Sequence, residues 1–364
     1  MPPSADLPLL PGGDHVGMIV GFNPSHPVAT AAAIDARWRE AVTKGMKIGR
    51  VQMDWVDLEP APNVYKKEAL RAQLATLSRD GLAPFLSVIS FENDELPLPS
   101  DLAPRIASGE LGYDSPEVLE RHAKLLDWVV PLLREHHGWA LALGNEPGNF
   151  LENLPTAADR EKVTAQILGF VAAARAKIHA LEPKLAVTVT VSEGRNPWEI
   201  ANGVDLEVPF LKIGDVASFN FYGTRFDEDL NLLNDTDPAR LKSRIDAMLA
   251  GVGDLPVVFQ ELGAQAGPDA GTSVTGSSLA SQQQFFEVIF GELRSRAQLR
   301  AAYVFQLVDW SPALVEEFFS APFRRDGVPE SFIRQYAESL ETVGLIRYRD
   351  GTARPAWNTF LDAL

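Results

Sequence analysis

The segment Trp139-Ala140-Leu141-Ala142-Leu143-Gly144-Asn145-Glu146-Pro147 begins as an uninterrupted apolar run and ends in an amide, a carboxylate and a proline. Such a run, without the alternation of a half-exposed strand, is typical of a strand buried on both faces of a parallel sheet. Glu146 then stands where the strand emerges, and a carboxylate there is costly unless it is paired, hydrogen-bonded or used in chemistry. The segment therefore predicts a buried parallel strand with polar groups at its carboxyl end.

Apolar runs of the same kind recur along the chain, and amphipathic segments lie between them. Eight strands are predicted, at Val16–Gly21, Ile48–Met53, Ala83–Ile89, Trp139–Gly144, Ala186–Val191, Val216–Phe221, Val257–Gln260 and Ala301–Gln306. The helices predicted from spacing and end signals are Ala29–Lys44, Lys67–Asp80, Val118–His136, Ala157–Leu181, Ala239–Ala250, Gln282–Arg296, Glu330–Glu341 and Pro355–Leu364. The fifth connection, Asn196–Gly214, is the weakest as a helix.

Eight strand–helix units in succession predict an α/β fold, a (β/α)8 TIM barrel. We expect a single domain over residues 1–364, with residues 1–15 as an N-terminal extension. A doubly wound open sheet is the main competitor. It is disfavoured because no Gly-x-Gly-x-x-Gly turn follows the first strand.

Polar and aromatic residues follow the predicted strands. In a barrel of parallel strands all carboxyl ends face one mouth, where chemistry is found. The strand ends supply Asn23, Arg50 with Asp54, Glu92 with Asn93, Asn145 with Glu146, Ser192 with Glu193, Asn220 with Tyr222, Glu261, and Asp309 with Trp310. Such a ring suits a sugar-binding cleft. Two of its members, Glu146 and Glu261, are the residue type that forms the acid and nucleophile of a glycosidase.

Composition excludes several classes of function. The 364 residues carry a formal charge of −16, which repels phosphate backbones and makes nucleic acid an unlikely partner. There is no cysteine, so disulfides, thiol nucleophiles and thiolate metal sites are excluded. The six histidines show no metal-ligand spacing, and no Gly-x-Ser-x-Gly or Walker-type loop occurs. We therefore expect no metal and no cofactor.

The termini and apolar runs bear on the compartment. No apolar stretch reaches the roughly 20 residues that span a bilayer, so no membrane partner is predicted. Met1-Pro2-Pro3-Ser4-Ala5-Asp6 has no basic region followed by an apolar core, so no signal peptide is predicted. The expected location is cytoplasmic, or secreted or periplasmic if a leader has been removed. The oligomeric state is not predicted.

Taken together, these segments resemble clan A glycoside hydrolases, the retaining (β/α)8 enzymes that include cellulases, mannanases, β-xylosidases and β-galactosidases. The resemblance spans most of the chain, and its most specific part is the pair of strand-end glutamates in the right order. The segments that carry it are Ile48–Trp55 with Leu58-Glu59-Pro60, Gly144-Asn145-Glu146-Pro147, Phe219–Gly223, Phe259-Gln260-Glu261, Phe305–Trp310 and Gly344–Trp357.

The resemblance implies a role for each matched residue. Glu146 would be the acid/base and Glu261 the nucleophile, and Asn145 would bind the hydroxyl next to the anomeric carbon. Arg50 and Tyr222 would hold Glu261 ionised and aimed. Trp310 would stack on the sugar, since an indole offers both an apolar face and a polar edge. The expected activity is retaining hydrolysis of an oligo- or polysaccharide, with a carbohydrate as the partner.

Four further residues are substrate-binding candidates from their placement. Asn220 precedes the sixth strand end, and Trp198 lies in a polar loop suited to an outer binding position. Glu92 and Asn93 belong to the acidic segment Ser90-Phe91-Glu92-Asn93-Asp94-Glu95, where many clan members carry a histidine or asparagine. This departure leaves the sugar and the linkage open.

Other functions stay open at this point. A barrel that binds glycan without cleaving it, or one that transfers glycosyl groups, would carry similar residues. A lyase or aldolase barrel would use a lysine or a metal, and the strand ends offer no lysine.

Overall fold

The computed structural model describes residues 15–19, 31–92, 96–227, 231–268, 273–325 and 327–364. Within these ranges, eight parallel strands form a closed barrel in the order β1-β10-β9-β6-β5-β4-β3-β2, so the predicted (β/α)8 barrel is confirmed. A short antiparallel pair, β7-β8, is separate from it. The strands are β1 His15–Ile19, β2 Ile48–Asp54, β3 Ala83–Ile89, β4 Ala140–Asn145, β5 Ala186–Ser192, β6 Ala217–Tyr222, β7 Thr224–Phe226, β8 Leu232–Asn234, β9 Val257–Gly263 and β10 Leu299–Val304.

Helices connect successive strands of the barrel. They are α1 Ala31–Lys44, α2 Trp55–Leu58, α3 Lys67–Arg79, α4 Ala103–Ala107, α5 Pro116–Glu135, α6 Pro147–Glu152, α7 Ala157–Leu181, α8 Pro197–Asn202, α9 Pro238–Val252, α10 Leu279–Ser295, α11 Pro312–Val315, α12 Ala321–Arg325, α13 Glu330–Leu340 and α14 Pro355–Ala363. A 3-10 turn spans Val208–Phe210, and a π-helical turn spans Glu316–Ser320. No helix in the described ranges is long and apolar enough to cross a membrane.

Several helix ends follow the signals in the sequence. The Thr156 hydroxyl accepts a hydrogen bond from the Asp159 N–H at 3.1 Å, so this side chain caps α7 as expected. Ser115 occupies the corresponding position before α5, but its side chain makes no capping hydrogen bond. Pro116 occupies the first helical position, where its fixed φ already suits a helix.

Contacts between Cα atoms divide the chain into two compact units. The first contains Ile48–Phe219 and Gly251–Val258, and the second contains the described residues of 14–47, 220–250 and 259–364. The expectation of a single domain over 1–364, with an extension at residues 1–15, stays a prediction.

The first unit contains a buried polar network beside β2. The Arg121 guanidinium donates to the carboxylates of Glu59 at 2.9 Å and of Asp101 at 2.8 Å. The indole N–H of Trp55 donates to the other oxygen of Glu59 at 2.9 Å. Each charged group of this network has a partner of opposite charge. The network can therefore be buried beside β2.

The second unit contains a buried ion pair between Asp309 and Arg354. The two guanidinium nitrogens of Arg354 lie 2.6 and 2.8 Å from the two carboxylate oxygens of Asp309. The backbone N–H groups of Gly344 and Tyr348 also donate to this carboxylate. Burial raises the pKa of Asp309, and the charge of Arg354 opposes that rise. The ionised form of Asp309 therefore depends on the positive charge of Arg354.

Replacing Arg354 with Met should destabilise the protein by about 3–5 kcal/mol, because it leaves Asp309 buried without its cation. For a chain of this length that loss lowers the thermal midpoint by roughly 4–7 °C, measurable by differential scanning fluorimetry. Arg324→Met is the matched control, since Arg324 pairs with Glu316 and Glu330 on the exposed surface and should change the midpoint little. Equal shifts in the two variants would contradict the prediction.

Candidate active site

Glu146 lies at the carboxyl end of β4 in a left-handed backbone conformation, with φ +43° and ψ 58°. A non-glycine residue in this region is strained and persists only where its surroundings hold it. The Glu146 N–H donates to the Thr190 carbonyl at 2.8 Å, and the Asn149 N–H donates to the Glu146 carbonyl at 3.1 Å. Pro147, whose ring fixes its own φ, follows at once. The turn is therefore restrained on both sides.

The end of β4 is also irregular in its pairing with β5. Ala142 pairs with Thr188, but the next partners are Asn145 and Thr190, so β4 has one extra residue. Such a bulge redirects the side chains that follow it. Gly144 lies within the bulge, where an added Cβ would come within 2.1 Å of the Phe91 ring. Phe91 therefore requires a glycine beside Asn145 and Glu146.

The Glu146 carboxyl group, which is half-buried, accepts hydrogen bonds from two neutral donors. Ser192 Oγ donates to one oxygen at 2.7 Å, and Asn149 Nδ2 donates to the other at 2.9 Å. Asn149 is itself held, because Asn196 Nδ2 donates to its Oδ1 at 2.8 Å. These contacts fix where the carboxyl group points without adding a positive charge.

A second carboxyl group, that of Glu207, is buried behind this turn. Its Oε1 accepts the Gly148 N–H at 3.0 Å. Burial, and then the charge of Glu146, raise the pKa of Glu207 well above its ordinary value, and the hydrogen bond from Gly148 opposes that rise. The same region holds Glu199, whose pKa is raised by burial although it accepts two backbone N–H groups.

Other predicted site residues of the first unit lie within β2, after β3 and at the end of β4. Asn145 is buried, and its Nδ2 donates to Glu92 Oε1 at 2.7 Å. Arg50 is fully buried, with its Nε donating to Ser87 Oγ at 3.2 Å and a further contact to Gln52. Asn93 lies outside the described residues.

Trp198 is placed on α8, where it is half-buried. The Arg160 guanidinium lies 4.9 Å from the centre of its ring, a cation–π distance. The fifth connection, weak as a helix in the sequence, contains this six-residue helix and the 3-10 turn. The Asn196 and Glu199 side chains form a capping box at the start of α8.

In the second unit Glu261 lies within β9 and is 8% exposed. Tyr222, the last residue of β6, donates its phenol O–H to Glu261 Oε2 at 2.6 Å. The Tyr222 carbonyl accepts from Arg244 at 2.8 Å, and its ring meets Phe305 edge-on at 5.7 Å. The sequence places the end of this strand at Gln260, but β9 continues to Gly263, because the Phe305 and Gly223 N–H groups donate to the Leu262 and Gly263 carbonyls.

Trp310 and Asn220 complete the predicted residues of this unit. Trp310 is 9% exposed, and its ring meets Phe319 edge-on at 5.5 Å. It borders a cavity of about 840 Å³, which is also lined by Leu279, Val315, Glu341 and Tyr348. Asn220 is buried on β6. A cavity of this volume is in the range that accommodates small ligands.

Sequence reasoning missed two residues around Glu146. Asn149 follows it by three positions in the first turn of α6, a spacing that brings side chains together on a helix and could have indicated the contact. Glu207 stands alone between Leu206 and Val208 in a connection without periodicity, so no pattern linked it to Glu146. Among the residues that the structure describes, no group of three or more His, Asp or Glu side chains could hold a metal ion.

The barrel is similar to several solved structures. Exo-beta-1,4-mannosidase Op5Man5 from Opitutaceae bacterium strain TAV5 aligns with 96% of this chain at a TM-score of 0.63 and 17% identity, and the chain spans 58% of that protein. A GH5_18 variant from Streptomyces cattleya in complex with Manb1-4GlcNAc aligns over 96% of this chain and 80% of that protein, with a TM-score of 0.65 and 13% identity. A beta-glucosidase from Exiguobacterium marinum aligns over 91% of this chain and 85% of that protein, with a TM-score of 0.57 and 14% identity.

No protein-family model matches the sequence, and no curated protein does. At the identities above, structural likeness establishes the fold. The resemblance to clan A glycoside hydrolases is therefore confirmed at the level of the barrel.

The packing behind Glu146 can be tested without an activity assay. A Cβ at Gly148 would lie 2.8 Å from Glu207 Oε1 and 3.0 Å from its Cδ, so Gly148→Ala should cost about 1–3 kcal/mol through overpacking. The control Gly291→Ala lies within α10, where a Cβ would meet nothing within 4 Å, and should stabilise by up to about 1 kcal/mol. Thermal midpoints that move in the same direction would contradict this packing.

Proposed function

We propose that this protein is a retaining glycoside hydrolase that cleaves a glycosidic bond in an oligo- or polysaccharide by double displacement. The observation that carries the proposal is that two glutamates of one barrel, one directly after β4 and one within β9, have different surroundings. Glu146 accepts from Ser192 and Asn149, and Glu261 accepts from the phenol of Tyr222. Barrels of this kind carry their chemistry at the carboxyl ends of the strands.

In the first step Glu261 attacks the anomeric carbon, and the bond from that carbon to the leaving oxygen breaks. Glu146 gives its proton to the leaving oxygen in the same step. The product is a covalent glycosyl–enzyme ester. In the second step Glu146, now a carboxylate, takes a proton from water, and the resulting hydroxide attacks the anomeric carbon and releases Glu261. Two inversions give net retention.

The nucleophile must remain ionised and aimed. We assign this task to Tyr222, whose O–H lies 2.6 Å from Glu261, and to Arg50, a cation buried on β2. A hydrogen bond to the charged form of a carboxylate, or a nearby positive charge, favours ionisation. Glu146 must instead alternate between acid and base, and its two neutral donors suit that task because they impose no fixed charge.

Substrate contacts are assigned to the remaining strand-end residues. Asn145, held by Glu92, binds the hydroxyl next to the anomeric carbon, and Trp310 at the border of its cavity stacks on the sugar. Asn220, Asn93 and Trp198 provide further contacts. A net charge of −16 favours a neutral sugar. The mannosidase and glucosidase names among the similar structures direct the first assays to β-mannosides and β-glucosides.

Glu261→Ala and Glu146→Ala should each lower kcat on aryl glycosides at least about 10³-fold, because each removes a reacting group. Azide should rescue both with different products when the substrate has a good leaving group. The Glu146→Ala variant should give a glycosyl azide of retained configuration, because azide attacks the glycosyl–enzyme. The Glu261→Ala variant should give the inverted azide, because azide replaces the missing nucleophile. Proton NMR distinguishes the two products.

The control for these variants is Glu120→Ala, an exposed acid on α5 that pairs with Lys124 and should remain fully active. Near-full activity of Glu261→Ala would overturn the assignment. Wild-type activity that a chelator abolishes would favour a metal-dependent lyase or aldolase. A transfer product in place of free sugar would identify a transglycosylase, and binding without any product would identify a glycan-binding barrel.

Tyr222→Phe should lower kcat about 10- to 100-fold, because it removes a hydrogen bond to a charged group worth about 1.5–3 kcal/mol. The thermal midpoint should change little. Tyr65→Phe is the matched control, since the Tyr65 hydroxyl is buried without a hydrogen-bond partner among the described residues. Initial rates on one aryl glycoside suffice, and equal activity of the two variants would remove Tyr222 from the mechanism.

A further inference from the structure

Glu207 is a buried acid that the proposed reaction does not use. It is 4% exposed and precedes the 3-10 turn Val208–Phe210. Its Oε1 accepts the Gly148 N–H at 3.0 Å, and its Oε2 is buried without a hydrogen-bond partner in the part of the chain that the structure describes. A carboxylate in such a place would lack most of the donors that an ionised group needs.

The charged groups that face Glu207 are mainly acids. Glu146 faces it from the β4–α6 connection, Glu199 from α8, and Asp205 from its own segment. The positive charge of Arg195 lowers the pKa of Glu199 but is not among the causes that act on Glu207. Burial first, and then the charge of Glu146, raise the pKa of Glu207. Burial and the surrounding acids therefore favour the protonated form of Glu207, and Oε2 is the oxygen that accepts no hydrogen bond among the described residues.

Glu207 acts on the strained turn through one backbone amide. Gly148 follows Glu146 by two residues, and Pro147 between them has a fixed φ. The left-handed conformation of Glu146 requires restraint from its neighbours. The hydrogen bond from the Gly148 N–H adds restraint from a distant side chain, that of Glu207.

We infer that Glu207 is a positioning residue for Glu146. As a neutral carboxylic acid it holds the Gly148 amide, and so fixes the turn that aims the Glu146 carboxyl group toward Ser192 and Asn149. The catalytic consequence rests on the proposed function, whereas the structural consequence does not.

Two variants and two measurements test the inference. Glu207→Gln keeps the shape, the neutral charge and an oxygen that can accept the Gly148 N–H. Glu207→Leu keeps much of the volume but removes the acceptor. Crystal structures of both report the position of Glu146. The kinetic measurements are kcat, KM and the pH profile on the aryl β-mannoside or β-glucoside that the wild type hydrolyses.

Glu207→Gln should retain kcat within about threefold, and the alkaline limb of its pH profile should stay in place, because one neutral group replaces another. Glu207→Leu should lose roughly 10- to 100-fold in kcat with KM nearly unchanged, since a misplaced catalytic group costs rate. Its crystal structure should show Glu146 displaced from Ser192 and Asn149. If Glu207 had a purely structural role, Glu207→Leu would change the thermal midpoint, but its kcat would be close to that of Glu207→Gln.

Three results would overturn the inference. One is a Glu207→Leu structure in which Glu146 keeps both hydrogen bonds. Another is a Glu207→Leu enzyme with wild-type kcat. The third is an alkaline limb in Glu207→Gln that moves to lower pH by half a unit or more, which would show that Glu207 is ionised. This third measurement stands even if Glu207→Leu does not fold. A wild type inactive on every glycoside, with Glu146 displaced in Glu207→Leu, would overturn the proposed function and support the positioning role.

Discussion

The left-handed backbone of Glu146 is the constraint on which the arrangement of the first unit depends. A β-carbon in this conformation crowds its own backbone, so the turn exists only because its neighbours hold it. The bulge in β4, the glycine beside Phe91, the proline at the start of α6 and the Glu207 side chain all serve the same turn. Strain that so many contacts maintain is the kind found at functional sites, because a relaxed turn would aim the side chain elsewhere.

The two strand-end glutamates are held by different chemistry. Glu146 has two neutral donors, and behind its turn lies a second carboxyl group. Glu261 receives a short hydrogen bond from a phenol whose backbone is fixed by Arg244. These different donors match the different roles that the proposed function gives to the two residues. The surroundings of the two glutamates differ because different elements of the fold supply their hydrogen-bond donors.

The sequence predicted the strands because strands buried on both faces are continuous apolar runs, a signal that is local. It predicted the ends less well, because hydrogen bonds from neighbouring strands decide where pairing stops. The extension of β9 past Glu261 to Gly263 depends on donors from Phe305 and Gly223, which no local pattern contains. The capping box of Asn196 and Glu199 was present in the sequence, but the helix that begins after Asn196 has only six residues. Six residues are too few for a helical periodicity to show. The strand-end residues were predictable because barrel topology fixes where polar groups gather, whereas Glu207 comes from a loop whose path only tertiary packing sets.

A buried acid is a costly way to satisfy one amide, since a neutral side chain accepts the same N–H without a desolvation penalty. The arrangement becomes reasonable when Glu207 is neutral, because burial, and then the charge of Glu146, raise its pKa. Glu207 is buried and accepts the Gly148 N–H, while Glu146 is half-buried and accepts from Ser192 and Asn149. Burial therefore favours the neutral form of Glu207. Glu207 so fixes the turn without adding a second negative charge beside Glu146, which in the proposed reaction both gains and loses a proton.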